Sequence, residues 1–361
     1  MLHRYLRRMI SKLVWSDGIT RDTETRLDSW FVEPLASWVE PRDHRMAESE
    51  ERPDEKNLEG HHVTGWERLK KQTRMVVLGQ PGAGKTSLLR KLAIEHANMS
   101  LSSDEPSLPV YVQLRDVRTD RLELLNASSL VPFEDDDLLR LMRVNDAWAN
   151  MILVLDGLDE CPSRADRQRI LEFVRSLCDV APTVRVIIST REPAYDWTME
   201  DFTHVRLEPF DRPRVLQWSL QYFARNGHEA SWRSFIHHLS DVPDVYELAT
   251  NPLLLTLITS LYARDRVVPE NKALVFERCF EALLQDWDAA RGVQRWPDSR
   301  AMHRQMRLAL GDLSFVATSD NRDAFFSAAD LARRSEKFVG LRSSPDAILA
   351  ACAEAVDASR R

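Results

Sequence analysis

One stretch of the chain, RMVVLGQPGAGKTSLLRKLA over residues 74–93, limits the possible folds more than any other. It opens with the apolar run Met75 to Leu78, which predicts a buried strand. The next eight residues, Gly79 to Thr86, fit the pattern G-x-x-x-x-G-K-[ST]. Apolar residues then recur at helical spacing, at Leu88, Leu89, Leu92 and Ala93. Strand, glycine-rich loop and helix in this order predict a phosphate-binding loop in an α/β domain.

The residue types of this loop suit the binding of phosphate groups. Its glycines, Gly79, Gly82 and Gly84, let the backbone take conformations that are closed to other residues and bring successive N–H groups against phosphate oxygens. The following helix points its positive end at the same place. Lys85 is expected to reach the β- and γ-phosphates of a nucleotide, and the Thr86 hydroxyl to bind Mg²⁺. The alternative is a glycine-rich turn with an incidental lysine, and the flanking strand and helix argue against it. The predicted phosphate-binding residues are Gly79, Gln80, Pro81, Gly82, Ala83, Gly84, Lys85, Thr86 and Ser87.

The length and charge of the chain set outer limits on its organisation. With 361 residues, two or three domains are expected. The formal net charge of −7 argues against nucleic-acid binding by the surface as a whole. The longest apolar run, Pro252 to Tyr262, is shorter than the roughly twenty residues that cross a membrane. The amphipathic segment Leu2 to Leu13 is expected to pack on its own domain, with a membrane surface as the less favoured alternative.

The four cysteines indicate the compartment. They form no C-x-x-C pair and no zinc-binding spacing, which favours free thiols in a reducing cytosol. A cytoplasmic location is therefore expected. The cysteines are Cys161, Cys178, Cys279 and Cys352.

From Val63 onward, apolar runs and helical spacings alternate along the chain. This alternation predicts the α/β class, with a parallel sheet covered by helices on both faces in three layers. Ligands of such sheets bind at the carboxyl ends of the strands. Further strands are predicted at Pro109–Leu114, Met151–Leu155, Val184–Ile188 and, at the sheet edge, Val205–Leu207, with helices at 138–148 and 166–178.

Acidic residues follow the central predicted strand, in the sequence DGLDE at 156–160. An aspartate at the end of a buried strand can bind Mg²⁺, and a carboxylate a few residues later can orient an attacking water. Three acids in five residues also fit a solvated turn, but a phosphate loop in the same chain favours a site. The next strand ends in Ser189-Thr190-Arg191, which predicts Arg191 near the γ-phosphate.

Six blocks of the sequence resemble the NACHT family and follow one another in its order over residues 63–290. The DG-x-DE form of the acidic block and the NPLLL block separate this family from other phosphate-loop ATPases. The resemblance implies a signal-transducing ATPase with numerous domains, a class of nucleotide-gated switches in immunity-like signalling, including bacterial anti-phage defence. The blocks are VVLGQPGAGKTSLLRKLA, LPVYVQLRDV, ILVLDGLDEC, VRVIISTRE, LEPFD and ATNPLLLTLITSLYARDRVVPENKALVFERCF.

The resemblance implies a role for individual residues. Asp156 is the metal aspartate, and Glu160, with Asp159 beside it, is the hydrolytic carboxylate. Arg191 matches the sensor arginine, and Pro252 matches the proline by which the helical domain touches the nucleotide. Pro252 taken alone equally predicts a helix N-terminus, because proline there needs no amide partner. The implied cofactors are ATP or ADP and Mg²⁺.

The resemblance also predicts how the chain is divided. The family's histidine-containing block near the end of the winged helix, whose histidine contacts the β-phosphate of ADP in the resting state, is missing. We therefore expect that the chain is a fragment or that a separate partner supplies this contact. Alone, the chain is then expected to exchange nucleotide readily and to associate. The expected parts are an N-terminal extension (1–40), a charged linker (41–60), the nucleotide-binding domain (61–210), an all-helical domain (211–292) and a partial winged-helix domain (293–361).

Two functions fit these observations. In the first, the chain is a slow ATPase switch that ADP keeps closed and that ATP or a partner opens for assembly into a homo-oligomer. A separate sensor or effector partner is then expected. In the second, the chain is a continuously cycling AAA-like ATPase that acts on nucleic acid or protein.

Overall fold

The computed structural model describes residues 1–16, 25–27, 30–40, 63–117, 119, 122, 136–142, 150–161 and 163–279. They belong to the first of two compact units, Met1–Phe280 and Glu281–Arg361. The predicted linker at 41–60 and the predicted winged-helix part at 293–361 lie outside the described residues.

Nine short strands are found in the described residues. The first two, β1 (Trp15–Ser16) and β2 (Thr25–Arg26), form a separate antiparallel pair. The other seven form the main sheet, in the order β4-β3-β9-β5-β8-β7-β6. They are β3 (Ala36–Val39), β4 (Val63–Thr64), β5 (Arg74–Leu78), β6 (Leu108–Gln113), β7 (Met151–Asp156), β8 (Arg185–Thr190) and β9 (Thr203–Leu207).

The five strands β6, β7, β8, β5 and β9 are parallel, as predicted, and the predicted apolar runs form their buried centre. The prediction of an edge strand at Val205–Leu207 is wrong, because β9 lies between β5 and β3. The sheet is extended by β3, which pairs antiparallel with β9, and by β4, which pairs antiparallel with β3. The reversed direction of β3 makes the sheet mixed. This pairing joins Trp38 to Val205 across the chain, and such non-local contacts leave no local pattern in the sequence.

Helices pack on the sheet, and they form all of the described regular secondary structure after residue 211. The helix after the phosphate loop packs on β6, β7 and β8, and the N-terminal helix packs on that helix in turn. The predicted helix at 166–178 is confirmed, whereas most of the one predicted at 138–148 lies outside the described residues. The helices are α1 (Leu2–Val14), α2 (Trp66–Leu69), α3 (Lys85–Leu101), α4 (Asp136–Met142), α5 (Arg164–Val180), α6 (Arg212–Arg225), α7 (Glu229–Ser240), α8 (Pro243–Leu248), α9 (Pro252–Asp265) and α10 (272–279).

The N-terminal helix α1 is fixed to the body of the protein on its apolar face. Leu6 and Met9 are buried, and the Tyr5 hydroxyl donates a hydrogen bond to the carbonyl oxygen of Pro109 at 2.8 Å. On the polar face, Arg4 Nε donates to Asp137 at 2.7 Å. The prediction that this helix packs on its own domain is confirmed. Within the part of the chain that the structure describes, no helix combines the length and apolarity needed to span a membrane.

Three of the four cysteines lie in the described part of the chain, and all three are free and buried. Burial raises the pKa of the Cys161 thiol to about 12 and that of Cys279 to about 11. The pKa of Cys178 is raised for the same reason. The prediction of free thiols is confirmed for these three residues.

Candidate nucleotide-binding site

The predicted phosphate loop connects β5 to α3. Gly82 and Gly84 have φ angles of 75° and 90°, a region that favours glycine strongly over other residues. Gly79 is different, because its φ is not in that region and a Cβ placed there would lie 3.4 Å from the nearest atom, an ordinary contact. The prediction that glycine is needed for backbone freedom is therefore confirmed at two of the three positions.

The Lys85 side chain folds back over the loop that precedes it. Its Nζ donates hydrogen bonds to the carbonyl oxygens of Gly79 at 2.8 Å and Gln80 at 3.1 Å. Burial lowers the pKa of Lys85, while the charges of Asp159 and Arg191 shift it in opposite directions. No described residue forms an ion pair with this ammonium group. A partly buried cation bound only to neutral carbonyl groups is well suited to receive an anion.

Asp156 ends β7 and is held from both neighbouring strands. Its Oδ2 accepts a hydrogen bond from the Tyr111 hydroxyl on β6 at 2.7 Å, and its Oδ1 accepts one from Ser189 Oγ on β8 at 2.6 Å. Ser189 Oγ in turn accepts from the backbone N–H of Gly157 at 2.9 Å. Burial raises the pKa of Tyr111, so its hydroxyl stays a neutral donor. Asp156 is 5% exposed, and these contacts fix its carboxylate at the sheet edge.

The two carboxylates that follow Asp156 have different surroundings. Asp159 is buried, and its Oδ2 lies 2.8 Å from Arg191 Nε, while its Oδ1 accepts from the Arg191 backbone N–H at 3.1 Å. Glu160 is more exposed, and its Oε2 lies 3.6 Å from the guanidinium of Arg115. Burial raises the pKa of Glu160, and Arg115 opposes this shift. The predicted pair therefore separates into one carboxylate that orients an arginine and one that is more accessible.

Gly157 explains how Glu160 reaches its position. Its φ of 80° is in the left-handed region, and a Cβ on this residue would lie 3.0 Å from Glu160 Cδ. The Glu160 side chain therefore folds back across the glycine. The backbone angle disfavours any larger residue here, and the Glu160 side chain would also have to shift to admit a Cβ, which accounts for glycine in the DGLDE stretch.

These residues surround one cavity of about 480 Å³, a volume typical of sites for small molecules. The loop from Pro81 to Ser87 lines it on one side, and Gly79 and Gln80 do not. The carboxyl ends of β7 and β8 supply the predicted acidic and basic residues. Those that line the cavity are Asp156, Asp159, Glu160 and Arg191.

Pro252 lines the same cavity from the helical part of the protein. It is also the first residue of α9, and the side chain of Asn251 caps that helix. The two interpretations of this proline, helix start and site residue, are therefore compatible. The sequence pattern alone could not decide between them.

Residues 73–226 match the family model of the NACHT domain. They contain the phosphate loop, the acidic stretch and the arginine whose geometry is given above. These residues form a NACHT domain. NACHT domains are P-loop NTPase domains, and the chain is accordingly a nucleotide-binding NTPase. No curated protein matches the chain in sequence.

Solved structures similar to the chain include three replication initiators. AMPPCP-bound DnaA from Aquifex aeolicus is 13% identical, with a TM-score of 0.32 and coverage of 82% of this chain and 86% of that one. A DNA replication initiation factor is 12% identical, with a TM-score of 0.32 and coverages of 74% and 72%. DnaA bound to AMPPCP and single-stranded DNA is 13% identical, with a TM-score of 0.30 and coverages of 70% and 88%. Similarity this low supports no conclusion about ligands.

The cavity of the NACHT domain has an aromatic wall that the sequence analysis did not assign to the site. Trp30 and Phe31 precede the NACHT match, and Trp218 lies near its end. The rings of Trp30 and Trp218 are 5.5 Å apart. Two hydrogen bonds anchor the segment that carries Trp30 and Phe31. Arg214 Nε donates to the Glu33 carbonyl at 2.6 Å, and the Glu208 N–H donates to the Leu35 carbonyl at 2.9 Å. In the sequence, the only indication of this wall was the adjacent pair Trp30-Phe31, in a segment without helical spacing.

The donor set of the NACHT site fits a magnesium ion. Thr86 and Asp156 both line the cavity and offer a hydroxyl and a carboxylate oxygen, which are ligands that Mg²⁺ prefers. Each Asp156 oxygen accepts one side-chain hydrogen bond, and a carboxylate has about four acceptor positions in all. The carboxylate therefore keeps acceptor capacity for a metal.

Proposed function

We propose that the chain is a molecular switch that binds ATP and Mg²⁺ and hydrolyses ATP slowly. The observation that carries the proposal is that α9 reaches the phosphate loop directly, since the Leu253 N–H donates to the Gly82 carbonyl at 3.3 Å. The helices after residue 211 therefore contact the place where the phosphates would bind. A switch requires such a contact, because a nucleotide shifts the equilibrium between two conformations of the chain only if it binds them with different affinities.

In this proposal the phosphates lie between the loop and the ends of β7 and β8. Lys85 turns from its carbonyl partners to the β- and γ-phosphates, and the N–H groups of the loop and of the first turn of α3 bind the other oxygens. When bound by Thr86 and Asp156, Mg²⁺ would supply neutralising charge to these phosphates. The aromatic wall of Trp30, Phe31 and Trp218 takes the base, since aromatic side chains stack on nucleobases.

Hydrolysis is assigned to Glu160 and Arg191. Glu160 accepts a proton from the attacking water, and its raised pKa makes it a better base than an ordinary glutamate. Arg191 binds the γ-phosphate, and the ion pair with Asp159 keeps its guanidinium at the cavity that both residues line. Asp159 is thus a positioning residue in the proposal, and Glu160 alone is the hydrolytic carboxylate.

The wider role follows from the family and remains a prediction. We infer immunity-like signalling, such as bacterial anti-phage defence, in the cytoplasm. ADP would keep the chain closed, and ATP would open it for assembly into a homo-oligomer with a separate sensor or effector. Nucleic acid is not among the partners proposed for this role.

The steady-state turnover of the purified chain tests the proposal against the cycling ATPase. A switch is expected to hydrolyse ATP at well below about one per second. The measurement is phosphate release at saturating Mg-ATP. Sustained hydrolysis at or above about one per second, without any partner, would favour the cycling ATPase instead.

Tyr111→Phe is expected to weaken the binding of Mg-ATP about tenfold and to leave the binding of ADP without magnesium unchanged. The variant removes one of the two side-chain hydrogen bonds that orient Asp156, and the loss of such outer partners typically lowers metal affinity 10- to 100-fold. Calorimetric titration of ATP at several Mg²⁺ concentrations measures the effect.

Tyr246→Phe is the matched control, because the Tyr246 hydroxyl is buried without a hydrogen-bond partner among the described residues. This control should bind Mg-ATP as the wild type does. If Tyr111→Phe also binds it with wild-type affinity, the tyrosine does not position a metal ligand.

A further inference from the structure

The start of helix α9 and the phosphate loop meet at an unusually short distance. A Cβ placed on Gly82 would lie 2.6 Å from Leu253 Cβ and 2.7 Å from Asn251 Oδ1, which is closer than such atoms approach. The loop can therefore carry only glycine at this position, for a second reason besides its φ of 75°. The backbone of the helix start and the backbone of the loop are in direct contact.

The side-chain amide of Asn251 binds both elements at once. Its Oδ1 accepts hydrogen bonds from the N–H groups of Leu253 at 3.0 Å and Leu254 at 3.3 Å, which caps α9. Its Nδ2 donates to the carbonyl oxygen of Pro81 in the loop at 2.9 Å, across 170 residues of sequence. The opposite orientation of the amide would set donors against donors, so the hydrogen bonds define which atom is which.

The two loop carbonyls held by α9 belong to the peptide units that carry the phosphate-binding N–H groups. A peptide unit is planar, so the Pro81 carbonyl and the Gly82 N–H belong to one rigid group and point in opposite directions. The Gly82 carbonyl, which accepts from Leu253, is joined in the same way to the Ala83 N–H. When phosphate turns either N–H, the carbonyl at the other end turns with it, and α9 is attached to that carbonyl.

We propose that Asn251 is the positioning residue that couples the phosphate loop to the helices after residue 211. Its amide transmits the direction of the Pro81 peptide to the first turn of α9, while the cap keeps that turn intact. Pro252, beside it, lines the cavity but has no N–H to take part in this connection. The inference rests on the proposed nucleotide site and names the residue through which that site acts on the helical part.

The Asn251→Ser variant separates the two functions of this side chain. Serine is as good a helix cap as asparagine, so the Leu253 and Leu254 N–H groups keep an acceptor. Its hydroxyl is too short to replace the amide donor to Pro81. Asn271→Ser is the matched control, since Asn271 caps α10 through the Leu274 N–H at 2.9 Å.

Hydrogen exchange of the full chain with and without ADP is the test. In the wild type and in Asn271→Ser, ADP should slow exchange both in the loop and at Leu253 and Leu254, by about fivefold or more. In Asn251→Ser, ADP should slow exchange in the loop alone.

The outcomes separate this inference from the proposed function. If ADP protects the wild-type loop but not α9, or protects α9 equally in Asn251→Ser, the coupling through Asn251 is wrong and the nucleotide site stands. If ADP protects neither element in the wild type, the proposed site itself is wrong, and the inference with it. Should Asn251→Ser fail to fold, Asn251→Asp keeps the cap and removes the same donor, and the same results are expected from it.

Discussion

Lys85→Ala is expected to weaken the binding of both ATP and ADP by about a hundredfold or more. The ammonium group is the charge that the loop offers to the phosphates, and each charge-assisted hydrogen bond contributes about 1.5–3 kcal/mol. Among the residues that the structure describes, this group binds two neutral partners, the carbonyl oxygens of Gly79 and Gln80, so the fold should persist without it. Calorimetric titration measures the affinity, and circular dichroism confirms that the variant is folded.

Lys71→Ala is the control for this variant, because Lys71 is exposed and does not line the cavity. It should bind nucleotide as the wild type does. Wild-type affinity in Lys85→Ala would show that the loop is a glycine-rich turn whose lysine has no part in binding.

Glu160→Gln is expected to retain Mg-ATP and to hydrolyse it about 100- to 1,000-fold more slowly than the wild type, the range typical of losing a general base. The amide keeps the size of the side chain and its place over Gly157 but cannot accept the proton from water. Because the triphosphate persists, the variant should also favour whatever assembled state the chain forms. Single-turnover hydrolysis and equilibrium binding, measured on the same preparation, separate the two effects.

Glu172→Gln makes the same chemical change on the exposed face of α5 and should hydrolyse ATP at the wild-type rate. If Glu160→Gln also keeps that rate, the hydrolytic carboxylate is not Glu160. Asp159 would then be the next candidate, although its two contacts with Arg191 leave it less able to meet water.

The sequence was sufficient for the parts of the site that are encoded in short, contiguous segments. The strand, loop and helix around residues 74–93 occur as predicted, because apolar spacing and a fixed glycine pattern specify them locally. Asp156 and Arg191 come together because parallel strands end at the same edge of the sheet. The family match over residues 73–226 agrees with the resemblance found in the sequence.

The remaining features depend on contacts between distant parts of the chain. The pairing of β3 with β9 and the meeting of Trp30 with Trp218 join segments about 170 or more residues apart, and neither leaves a periodic pattern. The different environments of Asp159 and Glu160 also arise in three dimensions, from Arg191, which directly follows β8, and from Arg115, which follows β6. Sequence spacing shows that the two acids are adjacent, and only the packing separates their roles.

Sedimentation velocity of the wild-type chain tests the switch most directly. The chain is compared at one protein concentration with saturating Mg-ADP and with a magnesium complex of a non-hydrolysable ATP analogue. A slowly sedimenting species is expected with ADP and a faster, assembled species with the analogue, because the two nucleotides stabilise different arrangements of the same chain. Identical sedimentation in both samples, with calorimetry showing both nucleotides bound, would contradict this expectation.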